Sequence, residues 1–170
     1  QIGELNSLNR DFNATPDGTF VVDLPEGNYD VQVTLGDFGR ARDEMAIHVQ
    51  GALVETLNTE ANEFLTRTYP AEVSTTTDGQ LNLRLDDTGG QTGRGTINAL
   101  VITPTAGGEP MRFDFGNAVS LVEPGYVGVK AEDTYREEVG YGWAAGTVVS
   151  AVDRGKTIYY SLGGEDPREL

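Results

Sequence analysis

The chain has 170 residues, enough for one domain with a sizeable core, and its 12 basic and 27 acidic side chains give a net charge of −15. That field repels phosphate backbones and anionic surfaces, so neither nucleic acid nor a membrane is an expected partner. The absence of cysteine excludes disulfides and thiolate metal sites, and no run of 18 or more apolar residues offers a membrane-spanning helix.

Glycine is abundant at 22 residues, and the apolar fraction is 38%. Both suit short strands joined by turns better than long helices. Residues 1–18 are polar, with Asp17-Gly18 as a turn signal. Strands are predicted over Thr19–Leu24 and Tyr29–Leu35, joined at Pro25-Glu26-Gly27-Asn28. In the second, Tyr29, Val31, Val33 and Leu35 alternate with polar residues, the period-two signature of a strand with one buried face. Residues 36–43 form a loop dense in glycine and charge. Glu44–Val49 alternates again, Gln50-Gly51 turns the chain, and residues 57–63 read as a polar stretch with a helical turn. Phe64–Val73 reads as extended, with Pro70 favouring an edge position.

Asp78-Gly79 is a clean turn before Gln80–Asp87, where Leu81, Leu83 and Leu85 share a face. A glycine-rich loop leads to the apolar strand Ile97–Ile102, and residues 104–110 have linker composition. Met111, Phe113 and Phe115 alternate. Residues 125–135 and 148–152 read as extended, Gly140-Tyr141-Gly142-Trp143 as an aromatic turn, Thr157–Leu162 as a strand, and 163–170 as a polar tail. The expected class is all-β, with about nine or ten strands.

The residues that carry chemistry point to binding more than to catalysis. The only histidine, His48, sits mid-strand opposite Met45, Ile47 and Val49. No Gly-x-Ser-x-Gly elbow occurs, and without cysteine there is no Cys-His pair. Adjacent carboxylates occur at Asp86-Asp87, Glu132-Asp133 and Glu137-Glu138, but glycoside hydrolysis needs two carboxylates facing across a cleft, which adjacency does not supply. Calcium takes six to eight oxygens, and acidic glycine-rich loops supply them; Asp86 with Asp87, and Asp37 with Asp43, are the candidates beside a plain turn-capping role. Sugar recognition needs an aromatic face and planar polar groups. Tyr141 and Trp143, flanked by Gly140 and Gly142, are the candidate platform, with core packing of Trp143 as the alternative. Asp37, Arg40, Arg42 and Asp43 are the candidate polar cluster, in which an arginine can hold a uronate carboxylate, or else a surface Arg-Asp network.

Phe113-Asp114-Phe115-Gly116, Pro124-Gly125-Tyr126, Tyr135 and Gly140-Tyr141-Gly142-Trp143 together resemble the opening of the galactose-binding-like, malectin-like β-sandwiches that accompany bacterial polysaccharide esterases and lyases. The non-catalytic N-terminal domain of rhamnogalacturonan acetylesterases is the nearest comparison. Its later part is similar to Asn9-Arg10-Asp11-Phe12, Phe20–Val31, Gly36-Asp37, Asp43-Glu44-Met45 and Ile97-Asn98-Ala99-Leu100. The order is inverted here: residues 1–103 match the body and closing strands, and 111–155 match the opening. The resemblance therefore implies one jelly-roll domain over 1–170 in circularly permuted order, with 104–110 as linker, 111–162 as displaced opening strands and 163–170 as tail. Three assemblies are open: the displaced strands fold back, cross to a neighbour, or begin the next copy of an array. The resemblance further implies a structural calcium ion and a secreted or cell-surface, non-catalytic module. Such a module binds a plant or algal polysaccharide beside a catalytic domain or neighbouring repeats. An interaction repeat that self-assembles is the alternative, and a small lyase or hydrolase a third.

Overall fold

A computed structural model describes residues 7–154; the predicted strand Thr157–Leu162 and the tail lie outside the described residues. A four-residue helix, α1 (Ser7–Arg10), leads into β1 (Asp11–Thr15). Then follow β2 (Asp17–Asp23), β3 (Gly27–Asp37), β4 (Arg42–Val49), β5 (Ala52–Thr59), β6 (Glu63–Val73), a 3₁₀ turn (Thr75–Thr77) and β7 (Gln80–Asp87). The chain continues through β8 (Gly95–Ile97), β9 (Ala99–Pro104), β10 (Met111–Gly116), β11 (Val127–Lys130), β12 (Tyr141–Trp143) and β13 (Ser150–Asp153). The protein is an all-β sandwich, as its composition and periodicities predict.

Two five-stranded sheets face each other, in the orders β11-β10-β9-β3-β6 and β12-β2-β7-β4-β5, and the small sheet β13-β1-β8 adds a third. Alternation explains which side chains meet. Tyr29, Val31, Val33 and Leu35 of β3 and Leu81, Leu83 and Leu85 of β7 all point into one apolar core. Phe20 lies at its aromatic centre. Its ring meets Phe113, Phe115 and Trp143 edge-on, at centroid distances of 5.4, 5.0 and 5.5 Å. Pro70 sits opposite Asp30 on β6, an edge strand, where the missing N–H breaks no ladder.

Four local expectations change. Asp17-Gly18 is not a turn but the start of β2; a Cβ on Gly18 would lie 2.5 Å from Thr147 Cγ2, so the glycine serves close packing. Residues 57–59 belong to β5 rather than to a helical turn, and the reversal comes at 60–62, where Asn62 takes φ +62°. Tyr141–Trp143 is a strand paired with β2, not an aromatic turn. There Gly142, at φ +147°, lets residues 134–135 lie directly over it: a Cβ would stand 2.4 Å from Tyr135 N. Finally, β1 lies in a stretch that reads as polar and turn-rich, and all five of its residues are buried. Its polar side chains are satisfied internally. Asn13 donates to Gly116 O and accepts from Trp143 Nε1, while Thr15 donates to Val148 O.

Residues 105–110 connect β9 to β10 as an antiparallel hairpin, with Met111 opposite Ile102. From there β10 pairs with β9, β12 with β2 and β13 with β1, so these C-terminal strands lie against strands of residues 11–104. At the end of β13, Arg154 N donates to Arg10 O at 3.0 Å.

Candidate functional site

The candidate polar cluster of the 36–43 loop is divided between interior and surface. Asp37 ends β3 fully buried. Its carboxylate accepts from Arg42 Nη2 at 2.7 Å, from Arg154 Nε and Nη2 at 2.8 and 2.9 Å, and from Gly39 N at 2.9 Å. Both guanidinium groups also lie over the Phe12 ring, with Cζ 5.5 and 5.7 Å from its centroid. Burial alone would raise the Asp37 carboxyl, but the donors from Arg154, Arg42 and Gly39 outweigh it and hold the group below its ordinary value. With every partner inside the protein, this cluster ties β13 to β3 and β4. Arg40 is exposed beyond it. Asp43 faces the other way and accepts from Gln91 N, Thr92 N and the Thr92 hydroxyl, bonds that keep its carboxyl low and fix the 89–92 loop.

The two aromatic candidates also part. Trp143 is 2% exposed and belongs to the core, its indole N–H satisfied by Asn13. Tyr141 is half-buried, with its ring 5.1 Å from Phe113, and it lines a cleft of about 390 Å³. Glu132, Asp133, Thr134, Arg136 and Val139 complete that cleft. The segment is pinned at several points. Tyr135 N donates to Trp143 O, Trp143 N donates to Asp133 O, and Tyr135 Oη donates to the Asp23 carboxylate at 2.9 Å, where Gln80 Nε2 also donates. Arg136 stays 66% exposed, with Glu138 at 3.8 Å its paired carboxylate. The cleft thus offers one aromatic ring, one unburied guanidinium, a hydroxyl and two carboxylates on a braced loop. Arg136 gives no sequence signal: it stands in a run of charged residues, and only the fold brings it beside Tyr141.

Asp86 and Asp87 are successive residues of one strand and so project to opposite faces. Asp86 accepts from Arg84 at 3.0 Å, and Asp87 Oδ1 accepts from Gly89 N, while Asp87 Oδ2 is buried without a partner. Two carboxylates turned apart do not close around one calcium ion, and among the described residues no group of three carboxylate or imidazole side chains is placed to hold a metal. His48 stands between Arg84 and Leu53 on the outer face of its sheet.

A second polar centre gives no signal in the sequence. Asp114 alternates with Phe113 and Phe115, the pattern of a solvent-facing residue, yet it is 4% exposed because the 117–123 loop folds over it. Glu123 N donates to its Oδ2 at 2.8 Å. Burial, with Asp11 and Glu123 adding repulsion, pushes its carboxyl up to about 6. Neighbouring Asp11 is also raised by burial, against the hydrogen bond from Arg10. A carboxyl raised on folding holds its proton more tightly in the native state, so its stabilising contribution is complete below the unfolded value and is lost as pH climbs to about 6. Stability is therefore expected to fall by about 1–3 kcal/mol between about pH 4 and 7 from this group. In Asp114→Asn, which keeps an acceptor for Glu123 N, that component should vanish. Urea midpoints across this range check it, and equal slopes for both proteins would refute it.

Searches against protein-family models, curated proteins and solved structures find no match to this chain.

Proposed function

We propose that this chain is a non-catalytic carbohydrate-binding module, a galactose-binding-like jelly roll in circularly permuted order, and that its sugar sits in the cleft beside Tyr141. The observation that carries the reading is the pairing of the half-buried Tyr141 at the cleft with the exposed guanidinium of Arg136 on a braced loop. A pyranose presents an apolar C–H face to such a ring and hydroxyl or carboxylate groups to the neighbouring polar atoms. In this reading the module is extracellular and serves a polysaccharide-active or surface protein by holding it on plant or algal glycan. Order inversion is supported by the meeting of β13 and β1 at Arg154 and Arg10, where a chain in the ordinary order would pass from one to the other.

Affinity gels containing pectic or algal polysaccharides, run with and without calcium, test the proposal. The protein should be retarded. Arg136→Ala should weaken binding at least about tenfold, given the worth of a charge-assisted hydrogen bond, without changing the melting temperature. Tyr141→Ala should abolish retardation while the fold, checked by circular dichroism, persists. Free migration in every gel, or full retention by Arg136→Ala, would sink it.

A second reading, an interaction repeat whose C-terminal strands complement a neighbouring copy, is favoured by one observation: β10, β12 and β13 each add to a strand of residues 11–104. Oligomers that grow with concentration in the same samples, together with no glycan retention, would favour it over the first.

A further inference from the structure

The cleft beside Tyr141 leaves another cavity unexplained. It lies between the 117–122 loop and strands β10 and β11 and measures about 360 Å³, within the range of small-molecule sites. Leu121, Val122 and Val129 supply apolar wall, Asn117 and Ser120 polar wall, and Asp114 its buried acid. One Asp114 oxygen, Oδ2, accepts from Glu123 N, the one hydrogen bond to this carboxylate among the described residues. The surroundings are negative. Asp11, buried, and Asp153 lie on the inner side with Arg10 between them, at 3.1 and 3.5 Å. Glu123 flanks the loop and accepts from Ser7 Oγ. Lys130 lines the cavity from β11, but its ammonium lies 3.9 and 3.8 Å from Glu132 and Asp133. Asp114 is thus the acid in the cavity wall itself, with Asp11 and Glu123 close enough to repel its charge.

We propose that this cavity binds a small organic ammonium, its nitrogen donating to Asp114 Oδ1 and its carbon frame packed against Leu121 and Val122. The chemistry favours that class over the obvious rivals. An anion meets the Asp114 carboxylate in the wall, with Asp11 and Glu123 near it, while the Lys130 ammonium is already held by two carboxylates. A metal ion needs converging ligands, and no such group is placed among the described residues. A neutral apolar molecule brings no donor to the acid's second oxygen, whereas an ammonium supplies both a donor and the opposite charge. A primary amine on a compact ring fits the volume, whether the ring is apolar or a sugar. The inference is independent of the glycan reading, since the Tyr141 cleft shares none of these walls except the neighbourhood of Lys130.

The pH dependence follows from the groups named. As pH falls through about 6, Asp114 takes up its proton and the charge that holds the ammonium disappears, so affinity is expected to drop on acidification.

Amide chemical shifts of Gly116, Ser120 and Gly128, followed by NMR on the full chain, provide the readout. Cyclohexylamine and glucosamine are the probes, with cyclohexanol and glucose as their uncharged counterparts. At about pH 7.5 at least one amine should give saturable shifts and its counterpart none; the stronger of the two tells whether the ring is apolar or hydroxylated. Binding should weaken at least about tenfold in Asp114→Asn and about tenfold on lowering the pH to about 5. The wild-type pH series stands alone if the variant fails to fold. No saturable shift with either amine, equal binding of cyclohexanol and cyclohexylamine, or unchanged affinity at the lower pH would overturn the proposal.

Discussion

Asp37→Ala is expected to destabilise the protein by about 3–5 kcal/mol, because it leaves the buried Arg42 guanidinium and the partly exposed Arg154 guanidinium without their anion. Arg42 and Arg154 converge on that one carboxylate from β4 and from the end of β13, with Phe12 beneath them. Arg42 is 8% exposed, so water cannot replace what is lost. Asp37→Asn should be nearly as damaging, since an amide accepts fewer donors and carries no charge. Arg154→Ala should cost less, since its side chain reaches solvent and Arg42 still satisfies the acid. Asp37 also contributes to the acid limb of stability. Its carboxyl is held below the ordinary value, so its contribution is complete above the unfolded value and is lost as pH falls through the lower, folded one. Chemical denaturation of the three variants at neutral pH decides the matter. An Asp37→Ala protein that loses less than about 0.5 kcal/mol, the scale of an ordinary surface substitution, would show that the charges find water after all.

Trp143→Ala is expected to cost a further class of energy, about 3–5 kcal/mol, through the cavity that it opens. The indole stands edge-on to Phe20 and Phe115, at 5.5 and 6.0 Å, and donates to Asn13 in the neighbouring β1. Its loss also strands the Asn13 carbonyl, since the Asn13 amide already donates to Gly116 O. Trp143→Phe separates the two effects: the ring contacts survive in large part, and the missing hydrogen bond should leave a deficit of about 1–3 kcal/mol. Thermal melts give both values. An alanine variant that melts with the wild type would mean that Trp143 is not a core residue.

Much of the sandwich is legible in the sequence because most of its strands bury one face and wet the other. The alternations of β3 and β7 state their own orientation, and Pro70 announces an edge. Legibility ends where both faces are covered. β1 buries Asp11, Asn13 and Thr15 as fully as Phe12, and Asp114 hides between two phenylalanines in a pattern that normally means solvent. In both places polar atoms are satisfied by groups more than a hundred residues away or by a loop folded back, and no local window contains that information. The candidate site shows the same limit. Tyr141 stands out by its flanking glycines, but its companion Arg136 does not. Asp37 and Arg42 do belong together, as their nearness in the chain suggests, yet Arg154, 117 residues beyond Asp37, turns a loop rim into an interior joint.

The meeting of Arg154 with Arg10 has a mechanical consequence. The chain enters β1 at Asp11 and leaves β13 at Asp153, and these two residues face each other at the same end of one antiparallel ladder. Tension applied through both flanks therefore peels that ladder open from its end, loading one rung at a time instead of shearing all rungs together. Of the bonds that close this ladder, those at its end are the Arg154–Arg10 backbone bond and the clasp of Arg154 on Asp37. Pulled by its flanks, this sandwich yields at its seam, at low force, before its two large sheets feel the strain.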